Sequence, residues 1–215
     1  MDSDAIIGTV VLAGFIVLIA AVIRTRRKRR RAIEAWATSH GWSYRRSEDL
    51  ILRQRRSPTV NRGVSEHVLH GTVSGSEVFS LENYQQSSGT ATTQQIVGLD
   101  LGFPVPTTMI LRATPEDRSC REYTRVTTQN SAFNQRWRVL AEKSADVGRI
   151  EHLLSSRFAD LMVQEQELIG RAEFTLEGHY LLTILPGAQQ VDRIAPTLDL
   201  LEGLAQALRH SLHTD

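Results

Sequence analysis

One cysteine, Cys120, is the whole thiol content of this chain of 215 residues. No intrachain disulfide can form, which excludes a disulfide-stapled secreted scaffold. No Asn-x-Ser/Thr acceptor occurs either, so nothing points to a glycosylating compartment. Lysine is almost absent, with only Lys28 and Lys143 among 25 basic residues, and positive charge is carried by arginine. The chain lacks a Gly-rich phosphate loop, a GxSxG elbow, an HExxH pair and a kinase signature. These absences remove the usual evidence for an enzyme, and the reading leans towards a non-enzymatic protein. No linker rich in Pro, Gly or Ser divides residues 42–215, so they are expected to form one domain.

Charge is absent where it matters most. Residues 5–23 (AIIGTVVLAGFIVLIAAVI) form an unbroken apolar run. As a helix they would extend about 28 Å, close to the hydrocarbon thickness of a bilayer. Lipid offers backbone amides no partners, so a helix is the form such a run must take. The expected reading is a single transmembrane helix over 5–23, a short extracytoplasmic segment over 1–4 and a basic juxtamembrane helix over 24–41. Within the span there is no GxxxG pattern, so dimerisation through it is unsupported.

Directly behind the run stand Arg24, Arg26, Arg27, Lys28, Arg29, Arg30 and Arg31, seven cations in eight residues. Asp2 and Asp4 precede it, and no Lys or Arg does. The positive-inside rule then puts the N-terminus outside and residues 24–215 in the cytoplasm, as for a signal anchor of the inner membrane. A cleaved secretory signal has its positive segment in front. Charge is segregated further along: residues 24–62 hold 13 basic and 3 acidic side chains, whereas 63–215 hold 12 basic and 19 acidic. Juxtamembrane cations gain on the order of 1 kcal/mol each beside an anionic leaflet. The seven residues of 24–31 are therefore the candidate contacts to anionic lipid headgroups. A second group, Arg45, Arg46, Arg53, Arg55, Arg56 and Arg62, lies in turn-rich sequence and reads as a solvated loop, with contact to the same leaflet as the alternative. Nucleic acid is an unfavoured partner, since no aromatic interleaving, zinc spacing or recognition-helix pattern accompanies the charge.

Short segments of strand character follow: 42–45, 66–73, 77–84, 95–101, 107–112, 121–127 and 134–140. Alternation is visible where Phe79 and Leu81 oppose Ser80 and Glu82. Pro104 and Pro106 are expected to interrupt the chain between two of these strands. Further on, Ser144 can cap a helix carrying Val147, Ile150, Leu154, Phe158 and Leu161. A hairpin is expected over 171–185, turning at Glu177-Gly178. The last helix is expected to carry Val191, Ile194, Leu198, Leu201, Leu204, Leu208 and Leu212, largely on one face. The fold class expected is α+β, an antiparallel sheet packed with two amphipathic C-terminal helices.

The histidines suggest no metal site. His67 and His70 lie three apart on an expected strand and point to opposite faces. His210 and His213 lack a third ligand. Cys120 has no identifiable base beside it, so no catalytic residue, metal ligand or cofactor is assigned.

The segments 35–44 (AWATSHGWSY), 66–71 (EHVLHG) and 132–139 (AFNQRWRV) resemble a group of actinobacterial single-pass membrane proteins whose cytoplasmic domain has no assigned reaction. The resemblance spans about residues 32–212. It implies an N-terminal span, a basic patch and one domain, and supplies no mechanism. The function expected is a membrane-tethered interaction or ligand-binding domain at the cytoplasmic face, with another membrane or cytoplasmic protein as partner. A membrane-anchored enzyme and an anionic-lipid sensor are the alternatives.

Overall fold

The computed structural model describes residues 3–47, 63–87, 90–113, 122–154, 156–164 and 172–213, the side chains of 3–13, 63, 87 and 156 excepted. The chain divides into two compact units, Met1–Gly41 and Trp42–Asp215.

The first unit is one helix, α1 (Ser3–Ser39). It runs unbroken from the apolar residues through the basic ones, because Arg, Lys, Ala and Glu all favour helix. It ends at Gly41, whose φ of +70° is the left-handed geometry that stops a helix and that glycine adopts without strain. Near that end the Trp36 ring stacks on His40, with centroids 4.2 Å apart. Among the described residues no helix is long and apolar enough to cross a membrane. The described side chains begin at Gly14, so the first nine residues of the apolar run, 5–13, lie outside them.

The second unit is α+β. Its strands are β1 (Ser43–Ser47), β2 (Gly63–Val73), β3 (Ser76–Ser87), β4 (Thr90–Arg112), β5 (Tyr123–Val126), β6 (Trp137–Glu142) and β7 (Glu173–Pro186). They form one antiparallel sheet of order β1-β2-β3-β4-β6-β5, with β7 also paired to β4. The helices are α2 (Ser131–Arg136), α3 (Val147–Leu153), α4 (Ser156–Gln164) and α5 (Ile194–Leu212), the last entered through a 3-10 turn at Val191–Arg193.

Two departures from the expected strands share one cause. The segments 95–101 and 107–112 are one 23-residue strand, β4, and the expected hairpin at 177–178 is instead the continuous β7. The first half of β4 lies between β3 and β7, and the second half between β6 and β7. Its register with β7 shifts between Asp100 and Val105 and again before Thr108. Gly102 (φ +77°) and Gly178 (φ +60°) sit at this corner. The bulged ribbon bends there without reversing, and Pro104 and Pro106 fall where ladder donors are not needed. Gly178 supplies a kink where the sequence suggests a turn.

Other differences are local. The segment 134–140 begins as helix α2, capped by Asn130, whose side chain accepts from the Phe133 amide, and becomes strand only at Trp137. The helix expected from Ser144 is two helices, α3 and α4. The first is capped by Asp146, accepting from the Arg149 amide, and ends at Leu154, whose ψ of +40° is not helical.

The core follows from alternation. Val68, Phe79, Leu81, Ile96, Tyr180, Leu182 and Ile184 form one buried apolar cluster. Gly98 belongs to it by omission, since a Cβ there would overlap the Phe79 ring and meet Leu182 Cδ2 at 2.9 Å. Helix α5 lies against β4 and β7 and buries Ile194, Leu198, Leu201, Leu204 and Leu208. Each such side chain contributes about 1.5–3 kcal/mol on leaving water.

Candidate functional site

In α1, Phe15, Ile16, Val17 and Leu18 are 59%, 58%, 67% and 61% exposed. Successive helical residues point about 100° apart, so four exposed neighbours mean that no side of the helix is covered. A surface helix normally hides an apolar stripe; one apolar all round has no aqueous environment in which it is at rest. The next two turns carry Arg24, Arg26, Arg27, Lys28, Arg29, Arg30 and Arg31. All are exposed except the half-buried Arg29. Seven of eight consecutive positions cover every direction, so the cations form a collar. Thr25 directs its hydroxyl back to the Ala21 carbonyl at 2.9 Å, which spends its polar group within the helix. Arg30 donates to Glu34 at 2.7 Å, an exposed i, i+4 pair contributing a few tenths of a kcal/mol. Such a helix can take apolar chains around Phe15 to Leu18 and anionic groups around Arg24 to Arg31.

In the second unit a groove of about 720 Å³ is lined by Gln129, Asn130, Ser131, Gly148, Glu151, His152 and Leu154. Its walls are held by side-chain hydrogen bonds. Asn130 donates to Asp160 at 2.8 Å while capping α2. Asn134 accepts from the Thr128 amide and hydroxyl and donates to the Thr128 carbonyl. His152 Nε2 pairs with the Ser211 carbonyl oxygen at 2.6 Å. The imidazole nitrogen so bonded serves the packing of α3 on α5. The groove can hold a small polar molecule by hydrogen bonds.

Two further polar clusters escape sequence reasoning. The chain between β7 and the 3-10 turn is pinned to the sheet: the Gln189 amide N–H donates to Glu82 Oε2 at 2.8 Å, and its side chain donates to Ser80 Oγ at 2.9 Å. Gln95 exchanges two hydrogen bonds of 3.1 Å with the backbone of Gln190. Ser80 and Glu82 look like the solvent side of β3 by alternation, yet both are buried under this loop. The other cluster lies where β4 meets β6. The Arg112 guanidinium stacks over the Trp137 ring at 4.3 Å. Burial first, and the nearby Arg136 charge second, lower the Arg112 pKa. Trp137 itself packs edge-on to Phe174.

The remaining candidates are dispersed. His67 sits at a bulge of β2 with φ +53° and pairs with the Tyr44 hydroxyl at 2.9 Å. His70 tilts against Phe79. The bulge breaks the simple alternation expected across 67–70. No group of three or more His, Cys, Asp or Glu able to hold a metal occurs among the described residues. Arg45 and Arg46 are exposed on β1. Cys120 and Arg53, Arg55, Arg56 and Arg62 lie outside the described residues.

No family model matches the chain, and no curated protein matches it. Among solved structures, the crystal structure of the mycobacterial trehalose monomycolate transport factor A, TtfA, is similar with a TM-score of 0.57 at 15% identity. The match covers 86% of this chain and 94% of that one. At such low identity the likeness establishes a common fold.

Proposed function

We propose that this chain is a non-enzymatic, membrane-tethered accessory protein of lipid transport, anchored by residues 5–23 with residues 24–215 in the cytoplasm. One observation carries the reading: an apolar helix end with no covered face that passes directly into a collar of seven cations. Water disfavours the first part, and an anionic leaflet favours the second. The acidic flank, Asp2 and Asp4, supports the orientation. The resemblance in fold to a transport factor for trehalose monomycolate, an acylated sugar, supports the lipid-transport role by analogy. In this role the domain at 42–215 binds a partner protein or a lipid-derived ligand at the inner leaflet.

Two measurements test it. Alkaline carbonate washing of membranes should leave the chain in the pellet. Protease added to intact spheroplasts should leave the C-terminal domain whole. Release by carbonate, or digestion from outside, refutes the anchor or its orientation respectively. Changing the seven collar residues to glutamine should invert or scramble the orientation.

A further inference from the structure

We infer that the groove lined by the start of α2 and by α3 is a binding site for a neutral sugar. Its volume of about 720 Å³ falls within the range of pockets that hold small organic ligands, about 300–1,000 Å³. The ligand class follows from the walls. Among the described lining residues there is no Arg or Lys, and one carboxylate, Glu151. An anionic ligand would meet that charge with nothing in the lining to offset it. An organic cation would find only a weak partner in the exposed Glu151, and no Trp, Tyr or Phe ring of the kind that cages such cations is among the described lining residues. An apolar ligand would find one large apolar side chain, the buried Leu154. What remains is an uncharged molecule rich in hydroxyl groups.

The polar groups of the walls suit hydroxyls. Gln129 and Ser131 are exposed and bring an amide and a hydroxyl. Asn130 is fixed between them: its Oδ1 accepts from the Phe133 amide at 2.9 Å, and its Nδ2 donates to Asp160 at 2.8 Å. A carboxamide has two acceptor positions and two N–H groups, so one of each is left, side by side. That donor and acceptor match two neighbouring hydroxyls of a sugar ring, each of which can both give and accept a hydrogen bond. Glu151 accepts from a further hydroxyl with the added strength of its charge. The walls are set before a ligand arrives. Asn134 clasps Thr128, next to Gln129, through three hydrogen bonds, and the Ser211 carbonyl holds His152. Little ordering entropy is then lost on binding. The groove gives the ligand-binding role proposed for residues 42–215 a place and a ligand class, and it rests on that reading.

The test titrates the full-length chain, in a polyoxyethylene detergent that carries no sugar headgroup, with maltose, sucrose and trehalose. At least one of the three should bind saturably by calorimetry, and the side-chain amide resonances of Gln129 and Asn130 should shift along the same isotherm. Choline and glycerol 3-phosphate, the cationic and anionic probes, should give no saturable shift there. E151A, at an exposed position, should weaken the sugar roughly tenfold. E151Q still accepts from a hydroxyl and should weaken it less. Q129A, at an exposed position before α2, is the second variant and should weaken binding a few-fold. No saturable response to any of the three sugars, tighter binding of choline or glycerol 3-phosphate, or wild-type affinity in both E151A and Q129A overturns the site. Failure of the carbonate or protease test bears on the anchor alone, because the titration in detergent does not depend on it.

Discussion

Replacing Asn83 by leucine should stabilise the second unit. Asn83 has no exposed surface, and neither its Nδ2 nor its Oδ1 has a hydrogen-bond partner. It shares a face of β3 with Phe79 and Leu81 by alternation. Opposite it in register stands Gln94, whose Oε1 is also buried and unpartnered. An amide taken out of water without compensation costs about 1–3 kcal/mol. Leucine has the same branched skeleton of four side-chain heavy atoms and extends the apolar surface of Phe79 and Leu81. A net gain of about 2 kcal/mol should raise the midpoint by about 4–8 °C for a domain of this size. The assay is thermal and urea unfolding of the full chain in detergent, followed by tryptophan fluorescence, with an unchanged urea slope confirming the same unfolding reaction. N83D, which buries a charge, should lose several kcal/mol in the same assay. If N83L instead lowers the midpoint while N83D is tolerated, the amide is engaged with a partner and its burial is not a cost.

Gly98→Ala should lower stability by about 1–3 kcal/mol by overpacking. The double variant F79L/G98A should recover part of that loss, whereas additive effects would show that the Phe79 ring is not the obstacle. Glu173 is part-buried, and burial raises its carboxyl pKa. The folded state therefore holds the proton more tightly than the unfolded one, so stability contributed by the neutral form is present at low pH. It is lost as pH rises through the carboxylate range. Unfolding of E173Q across pH 4–7 should lack that decline, and an identical pH dependence in both proteins would refute it. Asn130→Ala removes both the cap on the Phe133 amide and the bond to Asp160. A loss of about 1–2 kcal/mol is expected by urea unfolding.

The α+β class, the antiparallel sheet and the long final helix were legible because each rests on local periodicity. Leu198, Leu201, Leu204 and Leu208 mark one helical face whatever lies beyond it. The continuity of β4 and β7 was not legible. Proline and Glu-Gly normally end strands, and only pairing of one bent strand with another turns both interruptions into a shared corner. Helix α2 was hidden for a different reason. Its six residues carry one apolar anchor, Phe133, so its stability comes from the Asn130 cap and the Thr128–Asn134 hydrogen bonds, and no periodic pattern records them.

The collar at 24–31 was readable because seven like charges in eight residues form a pattern along the chain. The stacking of Arg112 on Trp137 was not, because the two lie far apart in the chain and meet only through the register of β4 with β6. In sequence Arg112 is one more arginine in a chain where lysine is scarce. The exposed apolar turns of α1 are legible for the opposite reason: Phe15, Ile16, Val17 and Leu18 are neighbours along the chain, so the run that holds them is visible without the fold.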